Sequence, residues 1–198
     1  MIVIIMSLIQ KFEDRNIMMK HYCSLITGSR ILEIGIFKGE FMEYIINNCN
    51  IGSIDGVDIF EGVTCSGDSD GNNVVHYPLD ISYLELSEKY KDNMNVKLIK
   101  YDSSSYLKSL PDNYYDIIYI DGDHSYNGVK NDLSESFYKI KNGGYIMGHD
   151  YEMNMNKAKN VYNFGVKRAV DEFCSIYSQS IIAKAMDGCV SYCIQITK

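Results

Sequence analysis

The chain lacks tryptophan, has only two prolines among its 198 residues, and nowhere offers the ~20 consecutive apolar residues that a membrane-spanning helix needs. No membrane role is expected. Its 19 lysines and arginines are outnumbered by 26 aspartates and glutamates, for a net charge of -7. They form no run able to track a phosphate backbone, which argues against nucleic acid as a partner. The six cysteines (23, 49, 65, 174, 189 and 193) include no Cys-x-x-Cys pair, and Cys189 and Cys193 would stand roughly 13 Å apart on an extended strand, too far for a disulfide. Reduced thiols and a cytoplasmic location are therefore the expectation. The absence of Gly-x-Gly-x-x-Gly weakens a nicotinamide dehydrogenase reading. Met1 to Ile9 is nearly all apolar but has neither a basic leader nor a small-residue cleavage site, so it reads as neither signal peptide nor anchor. Met6 is as good a start as Met1. The scarcity of proline and tryptophan beside abundant Ile, Asn, Lys and Tyr looks like the coding bias of an AT-rich genome and carries little functional weight.

What is present is apolar material, 46% of the residues, enough for one sizeable core and too little for two full α/β domains. The organising stretch is Tyr115 to Leu133. An apolar run, Ile117, Ile118, Tyr119 and Ile120, ends abruptly in Asp121, Gly122, Asp123 and His124. Such a run suits a central parallel strand covered on both faces. Val129, Leu133, Phe137 and Ile140 then recur at helical spacing, so the polar segment is a turn between strand and helix, at the edge where open α/β sheets bind ligands. A helix cap would account for one polar residue there, but it accounts poorly for two carboxylates and a histidine.

The same pattern recurs along the chain. A helix ending near Gly28 is followed by a strand over Arg30 to Ile34, the turn Gly35-Ile36-Phe37-Lys38-Gly39, and a helix with Met42, Ile45, Ile46 and Cys49 as its buried stripe. That helix N-terminus offers amides to an electronegative group, and the two glycines permit close approach. A second strand, Ser53 to Ile59, carries Asp58 where doubly wound nucleotide sites place a ribose-binding carboxylate. After a helix over Ile81 to Tyr90, a third strand, Val96 to Lys100, ends in Tyr101-Asp102-Ser103. A fifth strand, Gly144 to Gly148, ends in His149 and Asp150. Four acidic strand tips on one edge are more economically a site than four unrelated caps. The segment Glu61 to Val74 is too polar to fold alone and reads as a mobile loop over the site; its Asp68-Ser69-Asp70-Gly71 lacks the rest of a calcium loop. A second polar segment spans Tyr151 to Asn163, before an amphipathic helix marked by Val166, Val170, Phe173 and Tyr177. Ile181 to Ala185 and Val190 to Thr197, joined at Asp187-Gly188, form an antiparallel hairpin on the sheet edge. His21 and His76 have structural or surface roles only. The reading is an N-terminal helical segment, 1–29, and one catalytic domain, 30–198.

This order of parts resembles the class I S-adenosylmethionine-dependent methyltransferases, and within them the macrocin O-methyltransferase and cephalosporin-hydroxylase-like group. The resemblance rests on Leu32-Glu33-Ile34-Gly35 to Gly39, Asp58, Tyr101-Asp102, Ile120 to Tyr126, Gly143-Gly144-Tyr145, His149-Asp150-Tyr151 and the Gly165 to Phe173 helix. It implies an α/β, Rossmann-like, doubly wound sheet of seven mostly parallel strands ending in an antiparallel hairpin. S-adenosylmethionine is the implied cofactor, with Glu33, Gly35 and Gly39 at its methionine part, Asp58 at the ribose, Asp102 with Ser103 at the adenine, and Asp121 at the reacting end. Phe37 departs from the family pattern, standing where many relatives carry a glycine. His124, with Asp121, is the implied catalytic base, because an alcohol must lose its proton as it attacks. Asp121 and Asp150 are the implied ligands of a divalent cation such as Mg2+. His149 takes the place of a further carboxylate, and nitrogen is a poorer ligand for that ion.

The expected activity is O-methylation of a small hydroxylated acceptor, a sugar or glycoside, with metal assistance left open. Two other readings compete. Asp121-Gly122-Asp123 could be the Asp-x-Asp of a metal-dependent glycosyltransferase, which would leave the glycine turn and Asp58 idle. Alternatively, the chain could be a methyltransferase-like scaffold without catalysis. Acceptor identity and homo-oligomerisation stay open.

Overall fold

The computed structural model of the protein describes residues 8–61, 63–66, 74–77, 83–153 and 164–198. In chain order the elements are β1 (Gln10–Phe12), α1 (Arg15–Ser24), β2 (Ser29–Ile34), α2 (Glu40–Asn48), β3 (Ile51–Asp58), β4 (Val63–Ser66), β5 (Val74–Tyr77), α3 (Tyr83–Tyr90), β6 (Val96–Lys100), α4 (Ser103–Lys108), β7 (Tyr115–Ile120), α5 (Tyr126–Lys139), β8 (Ile140–Met153), α6 (Val166–Ile176), β9 (Ile181–Ala185) and β10 (Cys189–Gln195). β2 and β7 are apolar on both faces, so they must be covered twice, and they pair in parallel at the centre of the sheet.

The main sheet has the order β1-β9-β10-β8-β7-β2-β3-β6. Its inner run β8, β7, β2, β3 and β6 is parallel, and β10 is antiparallel to both β8 and β9. The expected Rossmann-like architecture holds, with eight strands instead of seven. The extra strand is β1, three residues that pair in parallel with β9 and cover the edge of the hairpin. Helices lie on both faces. Leu32, Ile118, Val129, Leu133, Val170 and Phe173 belong to one core, and Met18, Ile31, Met42, Ile45, Ile117 and Leu86 to the other.

Two local outcomes differ from the sequence expectation. The segment read as a loop over the site contributes β4 and, at its last residue, the start of β5, while its calcium-like tetrapeptide, like Met1 to Ser7 and most of the second polar segment, lies outside the described residues. The fifth strand runs well past Gly148, because β8 continues to Met153 through an irregularity. Tyr192 pairs with Gly148 and Val190 with Glu152, so three β8 residues face one β10 residue. Such a bulge bends a strand and re-aims a side chain. Here Asp150 has φ 57, the left-handed region a non-glycine residue seldom adopts. Among the described residues no helix is long and apolar enough to cross a membrane.

Candidate functional site

The strand order reverses between β2 and β7, and the turns leaving those two strands frame an open cleft of about 290 Å³, close to the lower end of the ~300–1,000 Å³ of small-molecule sites. Arg15, Glu33, Gly35, Phe37, Phe41, Asp121, His124, Asp150 and Phe164 are among the residues lining it. The two turns touch. The amide of Asp121 donates to the carbonyl of Ile34 (2.8 Å), prolonging the β2–β7 pairing past the strand ends. Gly35 has φ +84, and a Cβ there would lie 2.3 Å from the Asp121 carbonyl oxygen. Glycine at 35 is thus dictated by the neighbouring turn as much as by any ligand. Phe37 has φ 52, a conformation that glycine adopts freely, and the residue is 40% exposed beside the cleft.

The acidic strand tips divide into two kinds. Asp58 Oδ2 accepts the amides of Ile36 (2.8 Å) and Phe37 (3.2 Å), and its Oδ1 accepts that of Phe60 (2.7 Å). Two amides of the glycine turn are thereby bound by a carboxylate that holds the turn in shape. Asp102 caps α4 through Ser105 (2.8 Å), and the Ser103 hydroxyl donates to buried Asp132 (2.6 Å). Asp123 binds the amide and hydroxyl of Ser125, which caps α5. Those are cap and turn duties. Gly39, with φ +77, opens α2 and leaves its N-terminus without a side-chain cap at the cleft.

Asp121 and Asp150 do something else. His124 Nε2 lies 3.2 Å from Asp121 Oδ1 and 3.3 Å from Asp150 Oδ2, so the imidazole is held between two carboxylates from adjacent strands. The Phe164 ring packs against it at 4.9 Å, and the Gly165 amide donates to the His124 carbonyl (3.0 Å). His149 stands behind. Its Nδ1 is 3.3 Å from Asp150 Oδ2, and it is not one of the three residues whose ligand atoms converge within 4.8 Å, which are Asp121, His124 and Asp150. Of the trio expected from sequence, Asp121, Asp150 and His149, the structure brings Asp121 and Asp150 together with His124, while His149 lies against Asp150. Burial opposes charge on His149, but the charge of Asp121 and the hydrogen bond to Asp150 outweigh it and raise its pKa. Burial likewise opposes charge on Asp150, yet the hydrogen bond and charge of His149, with His124, hold its carboxyl below the usual range.

Arg15 was not legible from the motifs, whereas Glu33 was. Arg15, the first residue of α1, places Nη1 2.9 Å from Asp121 Oδ2 and its guanidinium 4.8 Å from the centre of the Phe41 ring. A cation at a helix N-terminus opposes the macrodipole, which was the available signal that Arg15 serves something other than its helix. Glu33, 2% exposed, points Oε2 into this region with no hydrogen-bond partner. Burial, then the charge of Asp121, pushes its carboxyl well above the usual range. An orphaned buried carboxyl lining the cleft fits the ammonium end of S-adenosylmethionine. Mg2+ fits less well. One donor of the converging trio is nitrogen, and a guanidinium already sits on Asp121.

Residues 32–151 match the family described as a methyltransferase domain. The chain belongs to that family. Its fold is that of S-adenosylmethionine-dependent methyltransferases. The N-methyltransferase NodS of Bradyrhizobium japonicum, solved in complex with S-adenosyl-L-homocysteine, superposes with a TM-score of 0.61 at 12% identity over 93% of this chain and 86% of that one. A SAM dependent methyltransferase from Aquifex aeolicus gives 0.62 at 16% identity over 93% and 91%. In sequence, an uncharacterized protein of Acanthamoeba polyphaga mimivirus is 30% identical over 126 residues, which are 61% of this methyltransferase and 51% of the relative. The chain thus spans about half the length of that relative.

Proposed function

We propose that this methyltransferase transfers the methyl group of S-adenosylmethionine to a hydroxyl oxygen of a small acceptor, a sugar or glycoside, as in the macrocin-like group. The observation that carries the reading is the imidazole of His124 suspended between Asp121 and Asp150 on the cleft wall. Bound S-adenosylmethionine supplies a methyl carbon made electrophilic by its sulfonium. Glu33 receives the ammonium end, and Gly35 keeps the turn flat against Asp121. The acceptor hydroxyl lies against His124, with Phe41 and Phe164 as apolar walls. The cofactor, when bound, supplies the methyl group and keeps the electron pair of the broken carbon–sulfur bond. The hydroxyl proton passes to His124 Nδ1, because Nε2 has to carry a hydrogen to face two carboxylates. Asp121 and Asp150 stabilise the resulting imidazolium. Positioned general bases of this kind contribute about 10²–10⁴-fold.

The glycosyltransferase alternative needs Asp121 and Asp123 on one metal. Asp123 is instead consumed by the Ser125 turn. The test is calorimetric titration with S-adenosylmethionine and S-adenosylhomocysteine, followed by transfer of isotopically labelled methyl to a panel of hydroxylated sugars and glycosides. Binding of both and label in an ether linkage are expected. Absence of binding by either ligand, with stabilisation by uridine diphosphate sugars, would falsify the reading.

A further inference from the structure

Metal-assisted methyl transfer uses a divalent cation to gather carboxylates and polarise the attacking hydroxyl. We propose that in this protein Arg15 occupies that place, so that the transfer proceeds without a bound metal ion; the inference rests on the methyl-transfer reading above.

Three of the four carboxylate oxygens of Asp121 and Asp150 already face a basic group. Asp121 Oδ2 holds the Arg15 guanidinium at 2.9 Å, and Asp121 Oδ1 faces His124 at 3.2 Å. Asp150 Oδ2 lies 3.3 Å from His124 Nε2 and 3.3 Å from His149 Nδ1. A divalent ion entering among Asp121, His124 and Asp150 has to strip a charge-assisted contact from Asp121. Mg2+, which demands near-octahedral oxygen ligands, gains least in return. Ions that accept imidazole meet the same guanidinium.

Arg15 is built into this position and does not merely drift there. Asp14 caps α1 by accepting the Ile17 amide at 2.8 Å, and the Arg15 amide donates to Asp187 Oδ2 (3.3 Å) in the turn between β9 and β10. β1 ties the preceding residues to β9. The guanidinium then crosses the Phe41 ring, and its side chain is only 30% exposed. The N-terminal segment therefore delivers a fixed positive charge to the tip of β7. Arg15 is a positioning residue. It neutralises Asp121 and turns its other oxygen toward His124.

The experiment is titration of Mg2+, Mn2+ and Zn2+ into metal-stripped wild type, Arg15→Ala and Arg15→Lys, followed by calorimetry. Wild type should show no saturable binding up to millimolar ion, Arg15→Ala should gain at least tenfold in affinity for one of them, and Arg15→Lys should resemble wild type. Wild-type turnover should survive a chelator. Micromolar binding of any of the three ions by wild type overturns the proposal, as does chelator-sensitive turnover restored by added ion, or a folded Arg15→Ala with no gain. Titration of the same samples with S-adenosylhomocysteine is independent of the metal result, so failure of the cofactor reading shows up separately.

Discussion

Replacing Glu33 by Gln keeps the shape of the side chain and removes its ability to ionise. In the ligand-free protein the Glu33 carboxyl is raised well above the usual range, chiefly by burial and next by the charge of Asp121, with Arg15 opposing. It therefore keeps its proton at pH values where an unfolded glutamate, with a pKa of about 4.3, has lost it. A ligand ammonium at the orphaned Oε2 favours the ionised form and lowers that pKa. Binding then expels a proton whenever the pH lies between the lowered and the raised values, and expels none outside that window. Affinity should rise with pH across the window and level off above it. A hydrogen bond to a charged group is worth ~1.5–3 kcal/mol, so Glu33→Gln should weaken binding roughly 10- to 150-fold. The variant should also be the more stable apo-protein, since wild type loses stability as pH climbs from about 4.3 toward the raised native value, while Gln does not titrate. The assay is calorimetry with S-adenosylhomocysteine in two buffers of unlike ionisation enthalpy. Up to one proton released by wild type and none by Glu33→Gln is the expected result. Identical apparent enthalpies in both buffers, or unchanged affinity in the variant, would refute the reasoning.

Asp132, 3% exposed on α5, is pushed up to about 7 from 3.8 by burial, against the hydrogen bond from Ser103. The sign is that of a raised acid, so wild type should lose stability as pH climbs from 3.8 to about 7, by up to roughly 4 kcal/mol at the limit. Asp132→Asn should flatten that slope in urea melts, and a slope shared by both proteins would count against the assignment. Gly35→Ala places a Cβ 2.3 Å from a backbone oxygen at φ +84, and should cost about 3 kcal/mol or more in urea denaturation. His124→Gln should lower kcat by about 10²–10⁴-fold with S-adenosylhomocysteine affinity within about threefold of wild type. Equal losses in both would make His124 a binding group instead.

Period and punctuation were enough to read the layered α/β fold, the helices after β2 and β7, and the strand ends at which the acidic residues stand. Those features follow from local pattern, because a strand buried on both faces must be apolar throughout and its polar neighbours must fall at its ends. What each tip touches within the protein was set by packing. Asp58, Asp102 and Asp123 look in sequence like Asp121 and Asp150, yet the first three spend oxygens on nearby backbone amides. Asp121 and Asp150 meet only because β7 and β8 are neighbours and a bulge opposite Ser191 turns Asp150 inward. Arg15, 106 residues from Asp121 in the chain, reaches it because β1 and the Asp187 contact place α1 at the cleft. The sequence by itself determined which residue types stand at the strand ends. Only the tertiary structure decided which of them share a hydrogen bond, since that depends on distances between segments that no local periodicity encodes.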